Sequence, residues 1–352
     1  KFVTDAVLTF DPRTPIDPDR QQRAIRRQQR QEKLVYLQTS PDSILMSDTD
    51  DLDGESAIQL EEEKLLFLGN LHSWRDKYES SYSVVRKFIP FTILASVLRC
   101  AAFCWNPLKA SISSETWMIQ LLKFANVHEN DMKMMAGLIP KIILPILLRY
   151  ARIYDPASTN QSESLISNIY YLFKFCGESV IREYDEYMEI EKCVTEQIED
   201  TLNSEVFIPL YPNSVAQNEK CGAAKFLRYQ CLFQIKLFRN ILKWTGILQF
   251  TFIVESTIEK ILNRCIFLSW KCQNFYSKEK AILCMQIVDS IPPILVSEYA
   301  IGEATIPSLQ PFCQYIKNLI ECFASIESER QLCKHLKEAL IRLNSLDLAI
   351  SV

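Results

Sequence analysis

Arg20, Arg23, Arg27 and Arg30 recur every three or four residues, with Arg26 and Lys33 beside them. A guanidinium is a planar fork that donates two parallel hydrogen bonds, so arginines at this spacing suit phosphate or carboxylate recognition. Six bases against one acid, Glu32, leave a local charge of +5 across Arg20–Lys33. Only Ala24 and Ile25 are apolar within the run, so a helix formed here has no hydrophobic face to bury. Three readings stay open: a solvated charge run, a contact with RNA or an acidic protein surface in an assembly, and a nuclear import signal. A second, weaker cationic set is Lys225, Arg228, Lys236, Arg239 and Lys243. At ~100° per residue these five fall within a sector of roughly 80° on one helix. They read either as a solvated face or as a surface for nucleic acid or an acidic partner.

Catalytic chemistry has no comparable footing. The chain contains no GxxxxGK[ST] or GxGxxG loop, no HExxH and no GxSxG. Only 7 of 352 residues are glycine, which removes the raw material for phosphate-cradling turns and favours helices. Glu183, Asp185, Glu186, Glu189 and Glu191 crowd one helix, but nothing singles out two of them as an acid and a base. They read as a solvated face, with Tyr184 and Tyr187 turned inward. The 12 cysteines include no CxxC pair, and the nearest two, Cys100 and Cys104, lie four apart in an apolar run. His72, His128 and His335 show no paired ligand spacing, so no zinc site is expected. The thiols read as buried and free, as in a reducing compartment. The expectation is a protein without enzymatic activity, cofactor or metal.

The elements that must carry these residues divide the chain in two. Residues 1–60 read as an extended, largely non-globular N-terminal arm. Asp11-Pro12, Thr14-Pro15 and Asp17-Pro18 open it, the basic helix follows, and Ser47–Ser56 carries five acids and no base. Such a segment offers too little apolar surface to offset the entropy of ordering, and it is expected to order only on a partner.

Residues 61–352 read as one all-α body, a large irregular helical stack or bundle, within a chain that is 48% apolar and 23% charged. Helices are predicted over Ile89–Cys104, Ser114–Val127, Met132–Tyr154, Ser164–Cys176, Ile181–Leu202, Ala223–Gln249, Thr257–Cys272, Lys278–Asp289, Ser308–Ser325 and Glu327–Leu346. Ser114-Glu115 and Asp131 are expected helix starts, and Pro140 and Pro145 are expected to kink or split the helix holding them. Within Ala223–Gln249, Phe226, Phe233, Leu237, Ile241, Trp244 and Leu248 follow helical steps, and Leu232, Phe238 and Leu242 widen the apolar surface. That breadth is the mark of a central helix. No fixed repeat period occurs, so a formal HEAT or TPR array is not supported. The net charge of −4 argues against a body that is a nucleic-acid sleeve throughout. No apolar run reaches the ~18 residues of a membrane span; Met134–Leu148 comes nearest but holds Lys141 and two prolines. No membrane association is expected. The chain begins on Lys1, not on Met, and reads as an excerpt of a longer protein.

One stretch stands apart from ordinary helical patterning. EVFIPLYP at Glu205–Pro212 is a non-helical strap, because Pro209 and Pro212 lack N–H donors and push their preceding residues out of the helical region. KLFRNILKWTG at Lys236–Gly246 is the long apolar helix against which a strap can pack. Trp74-Arg75 precedes Tyr78 and Ser81-Tyr82; further on come Trp105-Asn106-Pro107-Leu108 and Ile143-Leu144-Pro145. Asp155-Pro156 leads into Ser158-Thr159-Asn160-Gln161, Leu262-Asn263-Arg264 follows, and the chain closes on Leu346–Val352. In this order the set resembles the GC-rich sequence DNA-binding factor-like (GCFC) family, PAX-binding protein branch, from about Trp74 to the C-terminus. The chain departs from the family pattern at Gln230-Cys231-Leu232, where the family has Gln-Phe-Trp.

The resemblance implies a non-catalytic nuclear scaffold of the late, intron-lariat spliceosome. Family members of this kind associate with a G-patch protein carrying a related helical domain, and with the DEAH-box RNA helicase that releases the lariat. Spliceosomal proteins and RNA are further implied partners. This chain has no glycine-rich G-patch, so helicase activation falls to the partner. Two alternatives remain: a transcription factor on GC-rich DNA, and an adaptor between a DNA-binding factor and chromatin enzymes. No helix-turn-helix, zinc finger or basic zipper supports the former.

Overall fold

The computed structural model describes residues 77, 95–102, 105–126, 129–207, 222–272, 278–296 and 305–350. The N-terminal arm, with Arg20–Lys33 and the acidic stretch, lies outside them, as does the Trp74 motif. Among the described residues 83% are helical and none forms a strand, which makes the body all-α as its periodicity predicts. The chain divides into two compact units, whose described parts lie within residues 77–197 and 198–350.

The first unit holds α1 (Ala95–Ala102), α2 (Thr116–Ala125), α3 (Glu129–Ala151), α4 (Thr159–Cys176), the short α5 (Glu178–Arg182) and most of α6 (Asp185–Glu205). Helix α3 packs on α1, α2 and α4 and is the unit's apolar axis. Pro140 and Pro145 both lie inside its 23 residues, and the helix is not split. Each proline costs roughly 3 kcal/mol through its missing N–H and its clash with the preceding turn. Against that, Leu138, Ile139, Ile142, Ile143, Leu144 and Leu147 are all buried. At about 1.5–3 kcal/mol each, the six aliphatics outweigh two prolines. The helix starts at Glu129, and Asp131 is fully buried in its first turn. By length and composition Asp131–Ala151 matches a membrane span, and 56% of its apolar window is buried within the protein.

Two motifs of this unit are structural locks. In the Trp105-Asn106-Pro107-Leu108 turn, Trp105 Nε1 donates to the Ala110 carbonyl at 3.1 Å, and the Leu108 N–H donates to Asn106 Oδ1 at 3.0 Å. Buried Asn168 of α4 closes the turn: it accepts the Ile112 N–H at 2.6 Å and donates to Pro107 and Ala110 carbonyls at 3.0 and 3.2 Å. The Asp155–Gln161 segment caps α4. Ser158 is the N-cap and accepts the Gln161 N–H, while Gln161 Oε1 accepts the Asp155 N–H at 2.9 Å. The first bond satisfies one of the free N–H groups at the helix start, and the second ties the preceding turn to that helix. Tyr154 and Ser162 share a buried hydroxyl bond of 2.7 Å beneath the cap.

The second unit takes the end of α6, then α7 (Gly222–Leu242), α8 (Phe250–Val254), a π-helical segment (Glu255–Phe267), α9 (Leu268–Cys272), α10 (Lys278–Ser290), α11 (Thr305–Phe323), α12 (Arg330–Arg342) and α13 (Leu346–Ile350). Helix α7 packs on the π segment and on α10, and α12 packs on α10 and α11. In the π segment the buried positions come in pairs four or five apart, Thr257-Ile258, Ile261-Leu262 and Ile266-Phe267. That step suits i→i+5 bonding better than 3.6-residue turns. Helix α7 stops at Leu242, short of the predicted Gln249, because the chain turns back through Gly246 at φ 93°. Trp244 and Leu248 remain buried beyond its end. Helix α12 likewise stops early: Asn344 adopts φ 57°, and the N–H groups of Asn344 and Ser345 return to the Ile341 and Leu340 carbonyls. That bonding pattern is a Schellman motif with asparagine in glycine's usual place.

Candidate functional site

Helix α7 carries the only cationic set that falls among the described residues, and its neighbours define which side of it faces water. Leu227, Ile235, Leu237, Phe238, Ile241 and Leu242 are buried, as the breadth of its apolar pattern predicts for a central helix. Phe226 and Phe233 are half-buried. Two buried amides on the same helix receive the strap. Gln230 Nε2 donates to the Glu205 carbonyl at 2.7 Å, and Gln234 Nε2 donates to the Phe207 carbonyl at 3.0 Å. The Phe207 ring lies 6.3 Å from that of Phe226. The strap therefore leaves α6 directly onto α7, as far as Phe207; its continuation through Pro212 lies outside the described residues.

The stripe occupies the opposite side of α7. Lys225, Arg228 and Lys236 are exposed, and Arg239 and Lys243 are half-buried. Arg228 pairs with Glu279 of α10 at 2.8 Å. Arg239 is committed to α10 as well: Nε donates to Ser290 Oγ at 2.9 Å, and a terminal nitrogen donates to the Gln286 carbonyl at 3.2 Å. Of the five cations, Lys225, Arg228 and Lys236 lie on an open face, Arg239 fastens the end of a neighbouring helix, and Lys243 is half-buried. Tyr229 and Leu232 lie among the open three at 42% and 45% exposure. The apolar pattern assigned Leu232 to the core and left Tyr229 unassigned. Their angular position, each within about 20° of Lys225 or Lys236 on the wheel, is the signal that would have placed both on the surface.

The other sequence-level candidates resolve into packing. Glu183 and Asp185 are exposed, and Glu186, Glu189 and Glu191 are half-buried. Arg182 binds Glu178 at 2.9 Å and Glu191 at 3.1 Å, and its guanidinium lies over the rings of Phe173 and Tyr187. Tyr187 is buried and Tyr184 half-buried. Burial, with Glu191 beside it, pushes the Tyr187 phenol far above its ordinary range. Among the described cysteines, Cys193, Cys284 and Cys313 are buried, and Cys322 is exposed. Burial raises Cys176 to about 12 and Cys265 to about 11, so these thiols stay protonated and poorly nucleophilic. Lys280 is buried beside Cys231 and Cys284, and desolvation lowers its ammonium to about 8. Among the described residues no three His, Cys, Asp or Glu side chains converge as metal ligands.

No family model matches the chain. It is 26% identical over 302 residues to PAX3- and PAX7-binding protein 1 of Mus musculus, a match covering 80% of this chain and 32% of the relative. The same protein of Homo sapiens gives the same figures. Intron Large complex component GCFC2 of Mus musculus is 26% identical over 275 residues, which is 74% of this chain and 35% of the relative. The chain spans about a third of the length of the curated relatives it matches. Similarity to these homologues, at 26% identity over 74–80% of the chain, is consistent with the GC-rich sequence DNA-binding factor-like family and the PAX-binding branch that its motifs resemble.

Proposed function

We propose that this chain is a non-catalytic nuclear scaffold of the intron-lariat spliceosome that assists spliceosome disassembly. The observation that carries the reading is similarity over 74% of the chain to a relative named as a component of an Intron Large complex. The residues support a scaffold in a second way. The Trp105 turn, the Asp155 cap and the strap use their polar groups on one another, in internal locks. Among the described residues, what remains for partners is helical surface, the exposed α7 face included. In this reading a G-patch protein with a related helical domain docks on the chain, and the DEAH-box helicase is engaged through that partner. Spliceosomal proteins and RNA surround the pair, and ATP hydrolysis belongs to the helicase alone.

A second reading is an adaptor for a DNA-binding factor, favoured by relatives named for binding PAX3 and PAX7. One experiment separates the two. The tagged full chain is purified from nuclear extract, and the RNA that accompanies it is sequenced. Excised introns with spliceosomal small nuclear RNAs are the expected result, together with a G-patch protein in the mass spectrum. Recovery of transcription factors and chromatin enzymes without intron RNA overturns the scaffold in favour of the adaptor. ATPase and nuclease assays on the purified chain are expected to read background.

A further inference from the structure

We infer that the exposed face of α7 around Tyr229 and Leu232 is a docking site for an acidic peptide segment of a partner protein, with an aliphatic side chain between its carboxylates. The inference stands apart from the spliceosomal reading, since either a scaffold or an adaptor can hold such a segment. Lys225, Tyr229, Leu232 and Lys236 fall within about 60° of arc on the helix. Tyr229 and Leu232 are 42% and 45% exposed, on a helix whose other large aliphatics are buried. The described part of the strap, Glu205–Phe207, lies on another side, because Gln230 and Gln234, which hold it, point more than ~90° away from the stripe. Lys225 and Lys236 flank the apolar pair, and Arg228 at the rim is already matched to Glu279. Among the described residues no ion pair forms at Lys225 or Lys236, so the face carries a positive charge at each end and an apolar centre.

That pattern fits a peptide better than a nucleic acid. The guanidinium forks that best grip phosphate are spent, Arg228 on Glu279 and Arg239 on Gln286 and Ser290. An aliphatic Leu232 in the middle gains nothing from a phosphate backbone. Lys225 and Lys236 are eleven residues apart, roughly 16 Å along the helix at 1.5 Å per residue. An extended peptide covers that distance in about five residues at ~3.3 Å each. The matching ligand has acids at both ends of such a stretch and a leucine-like side chain over Leu232.

The test uses the full chain and a fluorescein-labelled heptapeptide with two aspartates at each end and a central leucine between serines. Fluorescence anisotropy at low salt is expected to show saturable binding that weakens on raising KCl, as exposed charge pairs do. Lys225→Glu with Lys236→Glu should weaken it at least about 30-fold, and Leu232→Ser about fivefold. A peptide with asparagine for aspartate should not bind. All three positions are exposed, so the variants should keep the parent's thermal melt, which circular dichroism checks. Equal affinity of the double variant, or equal binding of the asparagine peptide, overturns the inference. So does tighter binding of a 12-nucleotide oligouridine that ignores Leu232→Ser, which would make the face a nucleic-acid surface. A dimer in sedimentation that Leu232→Ser dissociates would overturn it too, assigning the face to a second copy of the chain.

Discussion

Lys280 lies on α10 at 5% exposure, its ammonium 3.4 Å from the Trp270 carbonyl. Burial penalises the charged form and lowers its pKa from 10.5 to about 8, against small opposing contributions from Cys231, Cys284 and Glu279. Below about pH 8 both folded and unfolded chains hold the proton, and the folded state bears the full cost of the buried charge. Between about 8 and 10.5 the unfolded chain holds more protons than the folded one, so this residue's contribution to stability rises with pH. Lys280→Met removes the dependence. Parent and variant, compared by urea denaturation, should differ by roughly 1–3 kcal/mol in the variant's favour at pH 7, and the gap should shrink toward pH 10. A gap independent of pH would show that Lys280 is not held as described. Nothing in the sequence marks this lysine, since KEKAILC reads as the polar start of an ordinary helix. The same holds for Asn168: the turn at Trp105 is visible in the sequence, but its keeper sits 61 residues from Pro107, too far for any local pattern to pair them.

At the scale of elements, the central place of α7 was legible in its apolar breadth, and the clamp that holds Glu205 and Phe207 to it was not. Gln230 and Gln234, four apart, look like ordinary helix formers until the carbonyls of Glu205 and Phe207 are placed against them. Gln230 takes a carbonyl from the last turn of α6, one of the four that a helix end leaves without an internal partner. Replacing both glutamines with leucine keeps the bulk and removes one hydrogen bond from each of two carbonyls, at about 1–3 kcal/mol each. The double variant should therefore lose roughly 2–5 kcal/mol in urea denaturation, and the amides following Glu205 should exchange faster with solvent. Unchanged stability would mean that water replaces the amides without loss and that the strap is held by Phe207 alone. Helix ends were the least legible feature. Gly246 ends α7 and Asn344 ends α12 by left-handed turns, whereas the apolar pattern continues through both. The π segment escaped for a related reason, because steps of four and five differ little by eye from steps of three and four.

For the whole molecule, the two cationic sets differ in character. The α7 face is borne on a packed helix, so its geometry exists before any partner arrives. Arg20–Lys33 has no apolar face of its own and repeats like charges three and four residues apart, which repel. A short helix without tertiary contacts is marginal in water. If the arm's arginines grip RNA phosphates or an acidic surface, the partner must supply the order that the sequence withholds. Reversing Arg23, Arg27 and Arg30 to glutamate should then weaken recovery of the assembly from nuclear extract and flatten its salt dependence, since fewer counterions are released on binding. Thermal unfolding of the body should not change, because none of the three can contribute to a hydrophobic core. Amide exchange across Gln21–Lys33 should be fast in the free chain and slow in the assembly. Lys225→Glu with Lys236→Glu serves as the contrast: it should spare exchange in the arm while abolishing capture of acidic peptides by α7. Should the triple reversal assemble as well as the parent at physiological salt, the arm's charge run is solvated surface, and recognition rests on the helical body alone.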